Sequence, residues 1–281
     1  MGRAQKLDEN TSIPGDLETA PSQSPETASV SLANTGLILV GPRYPENIGA
    51  AARIAYNFGI PELTVVADKE PDQERMLKMA THKASHLIKG LRLVATTREA
   101  AEPFHFIVGT TARQGRQRMR QNEPRMVMEK MIPLAADPDN RIGLMFGPEN
   151  TGLTNEDLDF CQFSSTIPTA DFSSLNLAQA VAIHCYELHM AIGDRPAVSS
   201  GMEYANSFDL EGMYGHVTEA LSEVTFLDEN NRTYWMRNIR QFLGRIHLSK
   251  KEASLIRGIC RKFLWHSRCK LEAEGENILS R

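Results

Sequence analysis

The chain has 281 residues, of which 41% are hydrophobic and 23% charged, and its formal net charge is −4. This composition fits one or two globular domains with a sizeable core. No apolar run approaches the roughly 20 residues of a membrane-spanning helix, and the amino terminus lacks the basic start and apolar core of a secretory signal. The four cysteines form no CxxC pair, which favours a reduced, cytoplasmic compartment.

Charge is unevenly distributed along the chain. Residues 1–34 carry two basic and five acidic side chains, are rich in Ser, Thr, Pro and Glu, and are predicted to be a disordered tail. Residues 231–270 carry eleven Lys or Arg and one acid, Glu252, for a net charge of +10. The total charge argues against a nucleic-acid partner, but the asymmetry favours one and is the more informative property.

Apolar runs alternate with helical patterns between residues 36 and 192, which predicts parallel β/α units. After the first strand comes the loop GPRYPEN, and we predict Asn47 as the N-cap of a helix over Ile48–Phe58. Small residues in its first turns allow another backbone to approach closely. The other predicted strands are at Leu63–Val66, Leu91–Ala95, Phe104–Val108, Ile142–Phe146 and around Ile167. Helices are predicted over Asp72–Ile88, over TREAAE, over Glu123–Ile132, where Pro133 ends the helix, and after Asn176. A short helix at TNEDL is predicted with a Thr154–Asp157 capping box.

Two groups of arginines stand out within this α/β region. Arg53 interrupts the apolar helix after the first strand, either as a solvated side chain or as a functional one, and its position near a strand-end loop favours function. A second group, in RQGRQRMRQNEPR, is either a solvated face or an RNA contact. We favour RNA, because arginine suits phosphate geometry; the residues concerned are Arg113, Arg116, Arg118 and Arg120.

The carboxyl-terminal quarter has a different character. Residues 196–210 have the composition of a linker, and residues 211–281 carry mostly helical signals, including a Ser249–Glu252 capping box. We predict a small basic helical extension whose exposed aromatic and basic side chains suit RNA backbone contact.

Several common site motifs are absent from the sequence. There is no Walker A loop, no GxGxxG, no GxSxG elbow and no zinc-ligand spacing, so a metal site is not predicted. Glycine- and hydroxyl-containing loops remain at the ends of predicted parallel strands. In open α/β sheets ligands bind at that edge, and we therefore predict a small-molecule site there.

Three segments, in order, resemble the motifs of the SPOUT-superfamily RNA 2′-O-methyltransferases: NIGAAAR, GLMFGPENTGLTNEDL and IPTADFSSLNLAQAV. The TTAR loop and the block MYGHVTEAL to LSKKEASLIRGI resemble the TrmJ-like branch, and the likeness covers about residues 36–263. It implies a SPOUT-type parallel sheet with a trefoil knot over residues 35–195, followed by a small all-helical extension. It also implies a homodimer, S-adenosylmethionine as methyl donor, and methyl transfer to the ribose 2′-hydroxyl of nucleotide 32 in the tRNA anticodon loop.

The resemblance assigns roles residue by residue. Arg53 and Ser174 match its catalytic positions. Because arginine is a poor general base, we expect Arg53 to orient the ribose or a phosphate. Asn47, Glu149 and Asn176 match positions that hold the site together. The positions that match the donor-binding loops are Thr110, Thr111, Ala112, Gly147, Ile167, Ser173, Ser174 and Leu175.

Three other functions remain open at this point. The chain could be an rRNA ribose 2′-O-methyltransferase, although its basic carboxyl-terminal helices favour tRNA. It could be a non-catalytic RNA-binding protein of the same fold, which the presence of Arg53, Glu149, Ser174 and Asn176 disfavours. A metabolic α/β enzyme is the least favoured, since it would not need so basic an extension.

Overall fold

A six-stranded, fully parallel sheet forms the centre of the protein in a computed structural model, which describes residues 32–112, 122–170, 175–193 and 195–279. The strands are β1 (Thr35–Val40), β2 (Glu62–Val66), β3 (Arg92–Val94), β4 (Phe106–Thr110), β5 (Ile142–Phe146) and β6 (Phe163–Ser165). Their order in the sheet is β3-β2-β1-β5-β4-β6. The predicted α/β class with parallel strands is therefore confirmed.

Nine helices accompany the sheet in the part of the chain that the structure describes. They are α1 (Pro45–Asn57), α2 (Gln73–Lys89), α3 (Thr97–Ala101), α4 (Pro124–Ala135), α5 (Asn155–Leu158), α6 (Leu177–Ile192), α7 (Ser207–Glu223), α8 (Arg232–Gly244) and α9 (Lys250–Leu279). Among these residues, no helix is long and apolar enough to cross a membrane.

The two faces of the sheet are covered differently. Leu37 and Leu39 of β1 point into the larger core, which they share with α1, α2, α4 and α6. Ile38 points the opposite way, as successive strand residues must, into a smaller core that includes residues of α3. Helices α7 to α9 have a core of their own, built around Met213 and Met236.

The helix after β1 differs from the prediction at its start. It begins at Pro45, with Tyr44 as N-cap, and Asn47 lies inside the first turn, so the predicted N-cap is wrong. Proline suits the first turn because it has no N–H to leave unpaired and its φ is already helical. The side chain of Asn47 is thereby left available for a contact outside its own helix.

Two other predicted positions are also wrong. Pro133 lies within α4, which continues to Ala135; so close to the helix end the proline removes a single backbone bond, and Leu134 and Ala135 remain buried. The last strand is not around Ile167 but at Phe163–Ser165, because pairing with β4 ends at Ser165. Ile167 instead lies in the loop that follows.

Capping explains other boundaries. The predicted Thr154–Asp157 capping box of α5 is confirmed, and so are the hydrogen bonds between Ser249 and Glu252 at the start of α9. Helix α7 begins at Ser207, four residues before the predicted start at Glu211, because the side chain of Asn206 accepts a hydrogen bond from the backbone N–H of Asp209.

The close approach predicted for the small residues of α1 is confirmed at Gly49. A Cβ atom built there would lie 2.1 Å from the carbonyl oxygen of Met76 in α2. The absence of a side chain thus lets α1 and α2 pack backbone against backbone.

Gly49→Ala should consequently lower the free energy of unfolding by about 1–3 kcal/mol, through overpacking. Gly215→Ala is the matched control, since a Cβ at Gly215 meets no atom within 4 Å. The control should raise stability by about 0.5–1 kcal/mol, because alanine is the better helix former. Urea denaturation measures both; equal effects of the two substitutions would contradict the packing described here.

Candidate functional site

The strand order places several loops together at one edge of the sheet. Chain connections run outward from β1 to β2 and β3 on one side, while β5 lies on the other side of β1. This reversal is the topological switch point at which α/β sheets bind ligands. A pocket of about 230 Å³ opens beside this point, on the β5 side, and the loops after β4, β5 and β6 line it together with the start of α6.

Six of the predicted donor-binding residues line this pocket, and the structure thus brings together residues from three separate loops. They are Thr110, Thr111, Ala112, Gly147, Ile167 and Leu175. Ser173 and Ser174 lie outside the described residues. The hydroxyl of Thr110 donates to the carbonyl oxygen of Met145 (3.1 Å), which ties the loop after β4 to β5.

Gly147 allows the loop after β5 to fold tightly beside the pocket. A Cβ atom at this position would lie 2.2 Å from the backbone nitrogen of Leu153 and 2.3 Å from the carbonyl carbon of Gly152. Gly152 itself has φ +63°, a conformation that favours glycine. A side chain at Gly147 would therefore push the loop open, and one at Gly152 would strain its backbone.

A directed chain of hydrogen bonds joins the loops after β1 and β5 to the start of α6. The backbone N–H of Ala178 donates to Asn176 Oδ1 (2.9 Å), and Asn176 Nδ2 donates to Asn47 Oδ1 (3.0 Å). Asn47 Nδ2 then donates to Glu149 Oε1 (2.5 Å), and the backbone N–H of Arg43 donates to Glu149 Oε2 (2.9 Å). Both oxygens of Glu149 thus accept a hydrogen bond from the loop after β1 or the helix that follows it.

The direction of the hydrogen-bond chain follows from the residues at its two ends. Asn176 is the N-cap of α6, so its oxygen must face the helix and its amide nitrogen must face Asn47. Asn47 therefore presents its own nitrogen to Glu149, where only an acceptor can satisfy it. Of the three residues predicted to hold the site together, Asn47 is hydrogen-bonded to both Glu149 and Asn176, and their functional role stays a prediction.

Of the predicted arginines, the structure describes Arg53 alone. Arg53 is exposed on α1 and is not among the residues that line the pocket. Arg113, Arg116, Arg118 and Arg120 lie outside the described residues. Arg125, from the same basic segment, pairs with Glu187 of α6 (3.4 Å).

Sequence reasoning assigned no role to several polar residues of the pocket wall, among them Ser165 and His184. His184 is fully buried; its Nδ1 lies 2.8 Å from the carbonyl oxygen of Ala180, so Nδ1 carries the proton and Nε2 accepts from Ser165 Oγ (2.9 Å). Burial lowers the pKa of His184 from 6.5 to about 4. Leu177, Ala180 and His184 are spaced three and four residues apart, and this helical spacing could have revealed the pocket-facing side of α6.

The described residues contain no group of three or more His, Cys, Asp or Glu placed to hold a metal ion. Two buried cysteines lie in the cores on either face of the sheet, Cys185 in the larger and Cys161 in the smaller, and burial raises the pKa of both thiols. Raised thiol pKa values disfavour the thiolate, and these cysteines are structural rather than reactive.

Comparison with known families divides the chain into two parts. Residues 34–186 match the model of the SpoU rRNA Methylase family. Residues 208–275 match the model of the tRNA methyltransferase TrmJ, C-terminal domain. The first match covers more than half of the chain and includes the whole sheet and the pocket.

Individual relatives are similar over most of their length. The chain is 32% identical over 235 residues to the tRNA (cytidine/uridine/adenosine-2′-O-)-methyltransferase TrmJ of Pseudomonas aeruginosa, covering 79% of this chain and 91% of the relative. It is 32% identical over 235 residues to the tRNA (cytidine/uridine-2′-O-)-methyltransferase TrmJ of Salmonella choleraesuis, with 81% and 95% covered. The crystal structure of TrmJ from Z. mobilis superposes with a TM-score of 0.70 at 28% identity, covering 81% of this chain and 98% of that one.

The burial of His184 makes the stability of the protein depend on pH. Below the ordinary pKa of 6.5 the unfolded chain binds a proton at His184 that the folded protein, with a pKa of about 4, does not bind. Stability should fall as the pH falls through this window. We expect the loss in free energy of unfolding between pH 7 and pH 5 to be about 2 kcal/mol smaller in His184→Gln than in the wild type.

Urea denaturation at the two pH values measures this difference. His82→Gln is the control, because His82 is exposed on α2, and it should leave the pH dependence unchanged. The same pH dependence in His184→Gln as in the wild type would show that the histidine is not held neutral.

Proposed function

We propose, since the chain belongs to the SpoU rRNA methylase family, that it methylates the ribose 2′-hydroxyl of a tRNA nucleotide in the cytoplasm. The target we propose is nucleotide 32 of the anticodon loop, as the resemblance to the TrmJ-like branch implies. The main support for the proposal is that one chain matches both families. The pocket lies in the part that matches the SpoU family, and the basic helices lie in the part that matches the TrmJ C-terminal domain.

S-adenosylmethionine is the donor we propose, and the pocket has features that fit it. Ile167, Leu175 and Leu177 supply apolar wall, while the loops after β4 and β5 offer backbone groups around the same space. The absence of a side chain at Gly147 lets the loop after β5 fold tightly beside that space. The residues that would hold the donor are therefore those of the three loops and the first turns of α6.

When bound, the donor supplies a methyl group on a positively charged sulfur, which is open to direct attack by a hydroxyl oxygen. The protein's own task is to align that hydroxyl and to help remove its proton. Alignment alone can contribute up to about 7–11 kcal/mol to lowering the barrier. We assign Ser174 to positioning the 2′-hydroxyl and Arg53 to orienting the ribose or a neighbouring phosphate through its donor groups.

In a homodimer, Arg53 of one chain would lie at the pocket of the other chain. The side chain is exposed and does not line the pocket of its own chain, so a second copy is the source we propose for the arginine at each site. Tyr186 and Met190, one turn apart on α6, are 49% and 57% exposed. This apolar surface, near the contact between α1 and α6, supports burial against a partner chain.

We further propose the trefoil knot that the resemblance implies. Strand β6 lies at the edge of the sheet, yet α6, which follows it, packs against both α1 and α4. The chain therefore turns back across the sheet after its last strand. That return path is the feature that supports a knot.

The extension is the proposed tRNA contact. Several exposed cations of α8 and α9 have no acidic partner within the described part of the chain, and Lys262 lies over the ring of Trp265 (3.8 Å). Tyr234 and Trp235 are also exposed. Cations beside aromatic rings suit phosphates and unstacked bases.

The test is transfer of tritium from methyl-labelled S-adenosylmethionine to bulk tRNA and, separately, to rRNA, followed by mapping of the modified nucleotide. Label at one anticodon-loop ribose is the expected result. Label in rRNA alone would move the substrate to rRNA, which the family description also accommodates. Donor binding by calorimetry without any transfer, or no donor binding, would leave a non-catalytic RNA-binding protein.

Substitution of Arg53 separates catalysis from donor binding. We expect Arg53→Ala to lower the transfer rate by about 10²-fold or more, the usual cost of removing a preorganised donor group, with donor affinity unchanged. Lys89→Ala, an exposed cation at the end of α2, is the control and should retain full activity. Turnover at the wild-type rate in Arg53→Ala would rule out the assigned role.

A further inference from the structure

Two arginines of the basic carboxyl-terminal block point inward, toward the sheet domain. The side chains of Arg237 and Arg240, on α8, are only 12% and 19% exposed, and each forms an ion pair. Lys250, at the start of α9, pairs with Glu203 (3.1 Å). Part of the charge that makes this block basic is therefore neutralised within the chain itself.

Arg237 binds the sheet domain directly. Its Nε lies 3.0 Å from Asp159 Oδ1 and its Nη2 3.4 Å from Asp159 Oδ2, a two-pronged arrangement that fixes direction as well as distance. Asp159 follows α5 and leads into β6, whose end contributes Ser165 to the pocket. Burial raises the pKa of Asp159 although the guanidinium of Arg237 opposes this, as in a partly desolvated pair.

Arg240 contributes a second contact through a shared carboxylate. Glu211 of α7, with a side chain only 5% exposed, binds Arg240 of α8 and also Arg98 of α3 (2.7 Å). The guanidinium of Arg240 stacks on the ring of Tyr214 at 4.3 Å. Beside this cluster the backbone N–H of Ser207 donates to the carbonyl oxygen of Phe104 (2.9 Å).

Six other cations of the block behave differently. They are exposed, and no acidic partner lies within reach of them among the described residues; they are Arg232, Arg245, Lys251, Arg261, Lys262 and Arg268. The basic block thus contains one set of cations turned toward the sheet domain and another turned toward solvent.

We infer that Arg237 and Arg240, held by Asp159 and Glu211, are positioning residues for the RNA substrate and do not contact the RNA themselves. The inference rests on the proposed function in one respect, that the exposed cations bind tRNA. The Arg237–Asp159 pair and the cluster of Arg98, Glu211 and Arg240 hold the extension in one orientation relative to the sheet domain. The RNA-binding cations therefore stay at a fixed distance from the pocket.

A fixed orientation matters because one tRNA must reach both parts of the protein at once. Two linked binding surfaces act together only when the link holds them at the span of the ligand, and a loose link lowers the effective concentration of the second surface. Breaking the Arg237–Asp159 pair should therefore raise the KM for tRNA by about tenfold. The turnover number at saturating tRNA and the affinity for the methyl donor should stay unchanged.

Charge reversal distinguishes positioning from RNA contact. Arg237→Asp and Asp159→Arg should each raise the KM for tRNA, and the double variant, which restores an ion pair in the opposite sense, should recover most of the wild-type value. Arg245→Asp is the matched control, an exposed arginine directly after the same helix. It should raise the KM through lost RNA contact, and combination with Asp159→Arg should give no recovery.

Hydrogen–deuterium exchange in the absence of RNA measures the docking itself. Amides of residues 155–165 should exchange faster in each single variant and return to the wild-type rate in the double variant, with thermal unfolding confirming that all variants fold. Failure of the double variant to recover either the exchange or the KM would overturn the inference. If the wild type neither binds nor methylates tRNA, the proposed function fails and the positioning role falls with it, while recovered exchange would still establish the docking.

Discussion

The N-terminal cap of α6 sets the direction of a hydrogen-bond chain that crosses the site. Once Asn176 turns its oxygen to the helix, its nitrogen and then the nitrogen of Asn47 must face the next partner, and the chain ends on Glu149. A carboxylate offers two acceptors and no donor, so it satisfies both Asn47 and the backbone of Arg43. The loops after β1 and β5 are thus tied to α6 with one geometry, and the pocket wall is built before any ligand arrives.

The two faces of the sheet have different roles in the structure. The face covered by α1, α2, α4 and α6 includes the first turns of α6 that line the pocket, and it leaves Arg53 exposed on α1. The extension contacts the sheet domain through the ion pairs of Asp159 and Glu211, and the ring of His247 packs on Phe106 and Phe163. Ion pairs of this kind depend on the angle between the guanidinium and the carboxylate. They therefore fix the orientation of the extension on the sheet domain, which nonpolar contact alone would not do.

Local patterns in the sequence predicted the elements that depend on local physics. The strands β1, β2 and β5 are short and rich in apolar residues, and their positions followed directly from the sequence. The position of β6 did not, because Ile167 is apolar in order to line a pocket rather than a sheet. The pairing of Arg237 with Asp159 was also unpredictable: 78 residues separate the two, and only the folded chain brings them together.

The most direct test of this structure is the affinity of the Glu149→Gln variant for S-adenosylmethionine, measured by calorimetry beside the wild type. Glutamine has the same shape but one acceptor instead of two, so either Asn47 or Arg43 loses its partner, at a cost of about 1–3 kcal/mol. If the hydrogen-bond chain builds the pocket, donor affinity should fall by roughly tenfold or more, while Glu46→Gln, which changes an exposed pair with Arg75 on α1 and α2, leaves it intact. Wild-type affinity in Glu149→Gln would contradict the central role given to this carboxylate.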